Sequence, residues 1–112
     1  MQPSEKDFEL AKILVDHSVK VKAKEHVLIT VSQDGMPLGK AVFIEVLKRG
    51  AYPMFDIEAT GMSYAFYTEA NDWQLNYVPE EVVKSKVAWA DAYIRIYSEF
   101  NSRELAQIEP GK

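Results

Sequence analysis

A chain of 112 residues, 47% hydrophobic and 27% charged, has room for one domain that buries about two thirds of its unfolded surface. Its net charge of -4 excludes a broad electrostatic nucleic-acid footprint, and the absence of cysteine excludes both a disulfide framework and a thiolate metal site. No apolar run approaches membrane-spanning length, and the polar opening residues carry no basic region leading into an apolar one, so the expectation is a cytoplasmic protein without a membrane segment.

In chain order, Ser4 has the character of an N-cap, and Asp7 three residues on favours the helix dipole and imitates a capping box. Phe8, Ala11, Leu14, Val15 and Ser18 then share one face at helical spacing, with Leu10 beside it, which predicts a first helix over 4–18. Residues 19–24 alternate apolar side chains with Lys20, Lys22 and Lys24. They read as a basic helix end and turn rather than a strand, their charge complementing the C-terminal dipole.

The next stretch organises the rest. Val27-Leu28-Ile29-Thr30-Val31 is a run too short for a helix and typical of a strand covered on both faces. A turn-rich loop, Ser32-Gln33-Asp34-Gly35, leads to an amphipathic helix over 37–49. Its apolar arc, running from Leu38, Ala41 and Val42 to Val46 and Leu47, is wide enough to predict deep burial. Gly50 supplies a left-handed stop before a second strand over 52–57. That strand sets Tyr52, Met54, Asp56 and Glu58 against Pro53, Phe55 and Ile57, and a proline and carboxylates inside a strand mark an edge. Strand, helix and strand within about thirty residues form one βαβ unit.

Residues 61–70 predict a helix, Asn71-Asp72 caps a short segment with Trp73, Leu75 and Tyr77, and Pro79 opens a third helix. A strand over 92–98 follows, with Ile94 and Ile96 alternating against Tyr93, Arg95 and Tyr97, and Asn101 then caps a short turn. Only the first strand is apolar on both faces, so it belongs in the middle. The expected fold is a single α/β domain over 1–112, a three-layer, Rossmann-like small parallel sheet of order 2-1-3 flanked by helices.

Sites are harder to find. The loop after the first strand lacks both the spaced glycines of a dinucleotide fingerprint and a Gly-Lys-Ser/Thr ending. His17 and His26 are the only histidines and have no neighbouring metal-binding pattern; they read as ordinary turn residues. Ser32 and Ser63 lack a nucleophile elbow or a partner base. Asp34, Asp56 and Glu58 are the ligand-facing candidates, because open α/β sheets place ligands at the carboxyl ends of their strands; solvated acids at strand ends are the plainer alternative. Tyr64, Phe66, Trp73, Tyr77 and Trp89, with Tyr67, are either core or a docking face for another domain or subunit.

Three stretches carry a resemblance. Leu10-Ala11-Lys12-Ile13-Leu14-Val15 with Val21 to Ile29, then Gln74-Leu75-Asn76-Tyr77-Val78-Pro79-Glu80, then Ala90 to Ile96 with Glu99 to Ala106, resemble in order the N-terminal domain of the thermophilic metallo-aminopeptidases of the aminopeptidase T type. Where that family often has Pro-Gly before the first strand, this chain has Ala23-Lys24. The resemblance implies an N-terminal, non-catalytic piece of a two-domain, dimeric exopeptidase that removes N-terminal residues from peptides. It also implies two divalent metal ions, cobalt or zinc, held by Glu, His and Asp of a C-terminal catalytic domain. No position here matches those ligands, so the expectation is no catalytic or metal-binding residue in this piece, which would serve domain packing and dimerisation. The competing expectation, independent of the resemblance, is a free-standing α/β module that binds a small acidic or amide ligand at the ends of the first two strands.

Overall fold

The structure, a computed structural model, describes residues 2–97. Helix α1 (Glu5–Ile13) begins at Ser4, whose hydroxyl accepts from the Asp7 N–H while the Asp7 carboxylate accepts from the Ser4 N–H. This is a capping box with aspartate in place of the usual glutamate. The first helix does not run regularly to Ser18: residues Leu14–Ser18 form a π-helical turn. Ala11 and Val15 are fully buried, whereas Leu10 is exposed. Residues 19–24 form no strand; Lys20 and Lys24 both adopt positive φ, and the Lys24 N–H donates to the Gly50 carbonyl.

Strand β1 (His26–Ser32) is central, β2 (Tyr52–Glu58) and β3 (Ala92–Ile96) flank it in parallel, and the order is β2-β1-β3. The hydrophobic alternation places all three correctly, with β3 ending earlier than the sequence suggests; Ser98 and the cap expected at Asn101 lie outside the described residues. Val27, Ile29 and Val31 are fully buried on one face of β1, and Leu28 is buried on the other. Residues apolar on both faces are stable only where both are covered.

Helix α2 (Met36–Lys48), entered through a 3-10 turn at Gln33–Gly35, and α1 cover the Ile29 face. At Gly39 a Cβ would lie 3.0 Å from both Phe55 Cζ and Val31 Cγ2, so the helix backbone sits directly on the sheet because no side chain intervenes. The expected burial of α2 is partial: Gly39, Ala41, Val42, Glu45 and Val46 are buried, but Leu47 is exposed, since a helix on a three-stranded sheet has only one neighbouring layer to bury against. Gly50, at φ 77°, ends the helix as expected.

The strand order reverses between β2 and β3, and right-handed crossovers then put the second connection on the opposite face. That connection contains α3 (Met62–Glu69), α4 (Asp72–Leu75) and α5 (Glu80–Trp89). Asn71 caps α4 through a capping box with Gln74. Met54, on the face away from Phe55, lines a groove with α5 residues Val82 and Trp89.

Pro53 falls where it does least harm. The Tyr52 N–H donates to Glu25 O, so the groups of Tyr52, Met54 and Asp56 point to β1 and those of Pro53 point outward, where its missing N–H breaks no ladder bond. No described helix is long and apolar enough to cross a membrane.

Candidate functional site

The carboxyl ends of the strands hold the three acids proposed as ligand-facing. Asp34 lies in the 3-10 turn after β1 and is exposed. Asp56, on β2, meets the Lys86 amine of α5 at 2.7 Å. Glu58, at the end of β2, accepts from the Ser63 hydroxyl at 3.0 Å. The loops after β1 and β2 do touch, since the Thr60 N–H donates to Gln33 Oε1. Two of the three acids are thus engaged by neighbouring side chains.

At the opposite end of the sheet, His26 is more occupied than a turn histidine. Its Nδ1–H donates to the Trp89 carbonyl at 2.9 Å, its ring stacks on the Trp89 ring at 4.7 Å and 12°, and its backbone N–H donates to the Asp91 carboxylate. These contacts join the start of β1 to the end of α5. A separation of 63 residues hides the pairing from sequence reading. His17 lies on the π-helical turn. Among the described residues, no three His, Asp or Glu side chains gather as a group able to hold a metal ion.

The most strongly coupled charges lie on the α1/α2 face. Glu45, completely buried on α2, receives the Arg49 guanidinium and the Lys48 amine, and Arg49 also makes two hydrogen bonds to Asp16, of 2.8 and 2.6 Å. The hydrogen bonds from Arg49 hold the Asp16 carboxyl below its ordinary value. Burial pushes Glu45 upward, but the hydrogen bonds and charges of Arg49 and Lys48 outweigh it and its carboxyl is held low. Asp16 and Glu45 in turn hold the guanidinium protonated. Each carboxylate is matched by a cation, which makes this a clasp between α1 and α2 rather than a reactive centre.

The third feature is apolar. Tyr64, Phe66, Trp73 and Tyr77 are all exposed, Trp73 to 72% and Tyr77 to 70%, together with Met62, Val78, Val82, Val83 and Val87. Trp89 alone among the five interface candidates is half-buried, held by His26. Phe66, Trp73 and Tyr77 wall a groove of about 640 Å³, and Met54, Val82 and Trp89 wall a second of about 530 Å³. Between the two expectations for these rings, the described residues favour the uncovered surface over the core. Exposed apolar surface on this scale is uncommon outside association sites.

A family model described as thermophilic metalloprotease matches residues 4–112. No curated protein matches the chain.

Proposed function

Because the chain belongs to the thermophilic metalloprotease family, we propose that it is the N-terminal, non-catalytic part of a metal-dependent aminopeptidase that removes N-terminal residues from peptides. The observation that carries this reading is the mismatch between a metalloprotease family and the donor chemistry of the described residues. Asp56 is committed to Lys86, and among the described residues no three His, Asp or Glu side chains gather as a group able to hold a metal ion. These residues do not fit a metal centre. In this proposal the centre, with its two divalent ions, cobalt or zinc, belongs to a C-terminal catalytic domain.

The contribution of this part is then architectural. The rigid unit of β1, α1 and α2 supports a connection whose rings and valines, from Met62 to Val87, are left open to be covered by the catalytic domain. Burial of such a face on a partner domain removes from water side chains that the three-stranded sheet has no area to cover.

The purified 112-residue chain is therefore expected to release no amino acid from a chromogenic aminoacyl anilide, with or without added cobalt or zinc. Metal-dependent release in proportion to chain concentration would overturn the proposal and place a complete site within these residues.

A further inference from the structure

The charge of the α3–α5 face narrows what can cover it. Between Gly50 and Val83 the sequence has Asp56, Glu58, Glu69, Asp72, Glu80 and Glu81 but neither lysine nor arginine. Asp56 and Glu58 are engaged by Lys86 and Ser63. The other four are exposed and, among the described residues, none of them forms an ion pair; Lys84, one turn along α5 from Glu80 and Glu81, reaches neither. Acids in the first turn of a helix are favoured by its dipole, which accounts for Asp72 on α4 and for Glu80 and Glu81 on α5. Glu69 ends α3, where the same dipole disfavours it, and no basic residue shares that last turn. Helix stability therefore does not explain the whole set.

The hollows of this face run into one another. The groove walled by Phe66, Trp73 and Tyr77 shares Tyr77 with a smaller hollow of about 320 Å³ at Glu80 and Glu81. That hollow in turn shares Glu81 and Val82 with the groove beside Met54 and Trp89. The result is a continuous track with aromatic and aliphatic walls and two carboxylates without a cation at its middle. Lys86, the cation on its far wall, is already held by Asp56. Every residue of 71–85 is exposed, so nothing among the described residues lies over the track.

We propose that the track receives an arginine-bearing apolar segment of the domain that covers this face. The inference rests on the reading that the α3–α5 connection is covered by a catalytic domain, and it adds the chemistry of the segment that does so. Arginine suits both halves of the surface. Its planar guanidinium stacks on exposed rings such as Trp73 and Tyr77, and it pairs with a carboxylate through two parallel hydrogen bonds. Apolar neighbours in the same segment fill the two larger grooves. An acidic segment would meet Glu69, Asp72, Glu80 and Glu81 as like charges, and a nucleic acid or an anionic lipid surface is repelled for the same reason.

Calorimetric titration of the 112-residue chain at low salt, with capped peptides of about ten residues, tests this. A peptide alternating arginine with leucine is expected to bind, its lysine counterpart about threefold more weakly, and its glutamate counterpart not at all. Glu80→Gln with Glu81→Gln is expected to weaken the arginine peptide about fivefold, and Trp73→Ala by a similar factor. Glu5→Gln with Glu9→Gln removes the same charge from exposed positions of α1 and should leave the affinity as it was. All of these substitutions are at exposed positions, and unchanged circular dichroism checks that the fold persists. An arginine peptide that does not bind, a lysine or glutamate peptide that binds as tightly, or an α1 variant that loses as much as the α5 variant would each overturn the proposal. Release of amino acid from an anilide would bring down the peptidase reading without changing these affinities, so the two failures are told apart.

Discussion

Replacing Arg49 with methionine is expected to destabilise the fold by about 3 kcal/mol, because it strands a buried carboxylate. Glu45 has no exposure to solvent, and without Arg49 only the exposed Lys48 amine at 3.3 Å remains to it. Asp16 would lose its partner as well, but it lies where water can replace the guanidinium. The double substitution Glu45→Leu with Arg49→Met removes both the stranded charge and its partner. It is expected to regain much of the loss, since an apolar pair in a buried position is often as stable as the ion pair it replaces. Denaturant melts of the three chains check this, and an Arg49→Met variant within 1 kcal/mol of the native chain, on the order of ordinary surface changes, would contradict it. Acidity gives a second handle. Glu45 and Asp16 titrate lower in the folded chain than in the unfolded one. The stabilisation from the clasp is therefore complete above the unfolded carboxylate range, near pH ~4, and is lost as pH falls through the lower folded values. The stability gap between the native chain and Arg49→Met should narrow between about pH 5 and pH 2.

Ile29→Ala is expected to cost a similar amount, about 3 kcal/mol, and to lower the melting temperature by roughly 15 °C. Ile29 is the middle of the middle strand, fully buried, opposite Phe55 on one side and Ile94 on the other. Truncating it opens a cavity between elements that α2 already holds at van der Waals distance through Gly39, leaving little freedom to collapse. Leu10→Ala, at an exposed position of α1, is the control and should change stability by no more than about 0.5 kcal/mol. Equal losses at the two positions would show that the core is not where the strand places it.

The fold was legible where local chemistry and burial agree. The run from Val27 to Val31 is apolar at every step but Thr30, which forces β1 to the centre, and Pro53 with Asp56 forces β2 to an edge. Ser4, Gly50, Asn71 and Pro79 each mark a boundary through a requirement of their own backbone or side chain, and each stands at one. What stayed hidden depends on partners far along the chain. Nothing local to Arg49 announces Asp16, 33 residues away, nor does His26 announce Trp89. The π-helical turn at Leu14–Ser18 escaped for a related reason: the apolar spacing from Phe8 to Ser18 suits a regular helix, and only the descent to Val21, whose N–H bonds Val15 O, widens the last turn. Asp56 and Glu58 were legible as acids at strand ends but not as acids already engaged by Lys86 and Ser63.

The anchoring of α5 divides the molecule by how readily it opens. The helix is fixed to the sheet at the Trp89–His26 stack and the Lys86–Asp56 pair, while most of its surface, like that of α3 and α4, faces water. Amide protons of β1 lie beneath packed layers and exchange with solvent only when the whole domain unfolds. Those of the α3–α5 connection are released by a smaller excursion that leaves the α1/α2 clasp and the sheet intact. Deuterium uptake should therefore be biphasic, fast across 62–88 and slow across 27–31. A protease offered the native chain should cut first between Thr68 and Pro79, in a stretch where a bound partner would act as a shield.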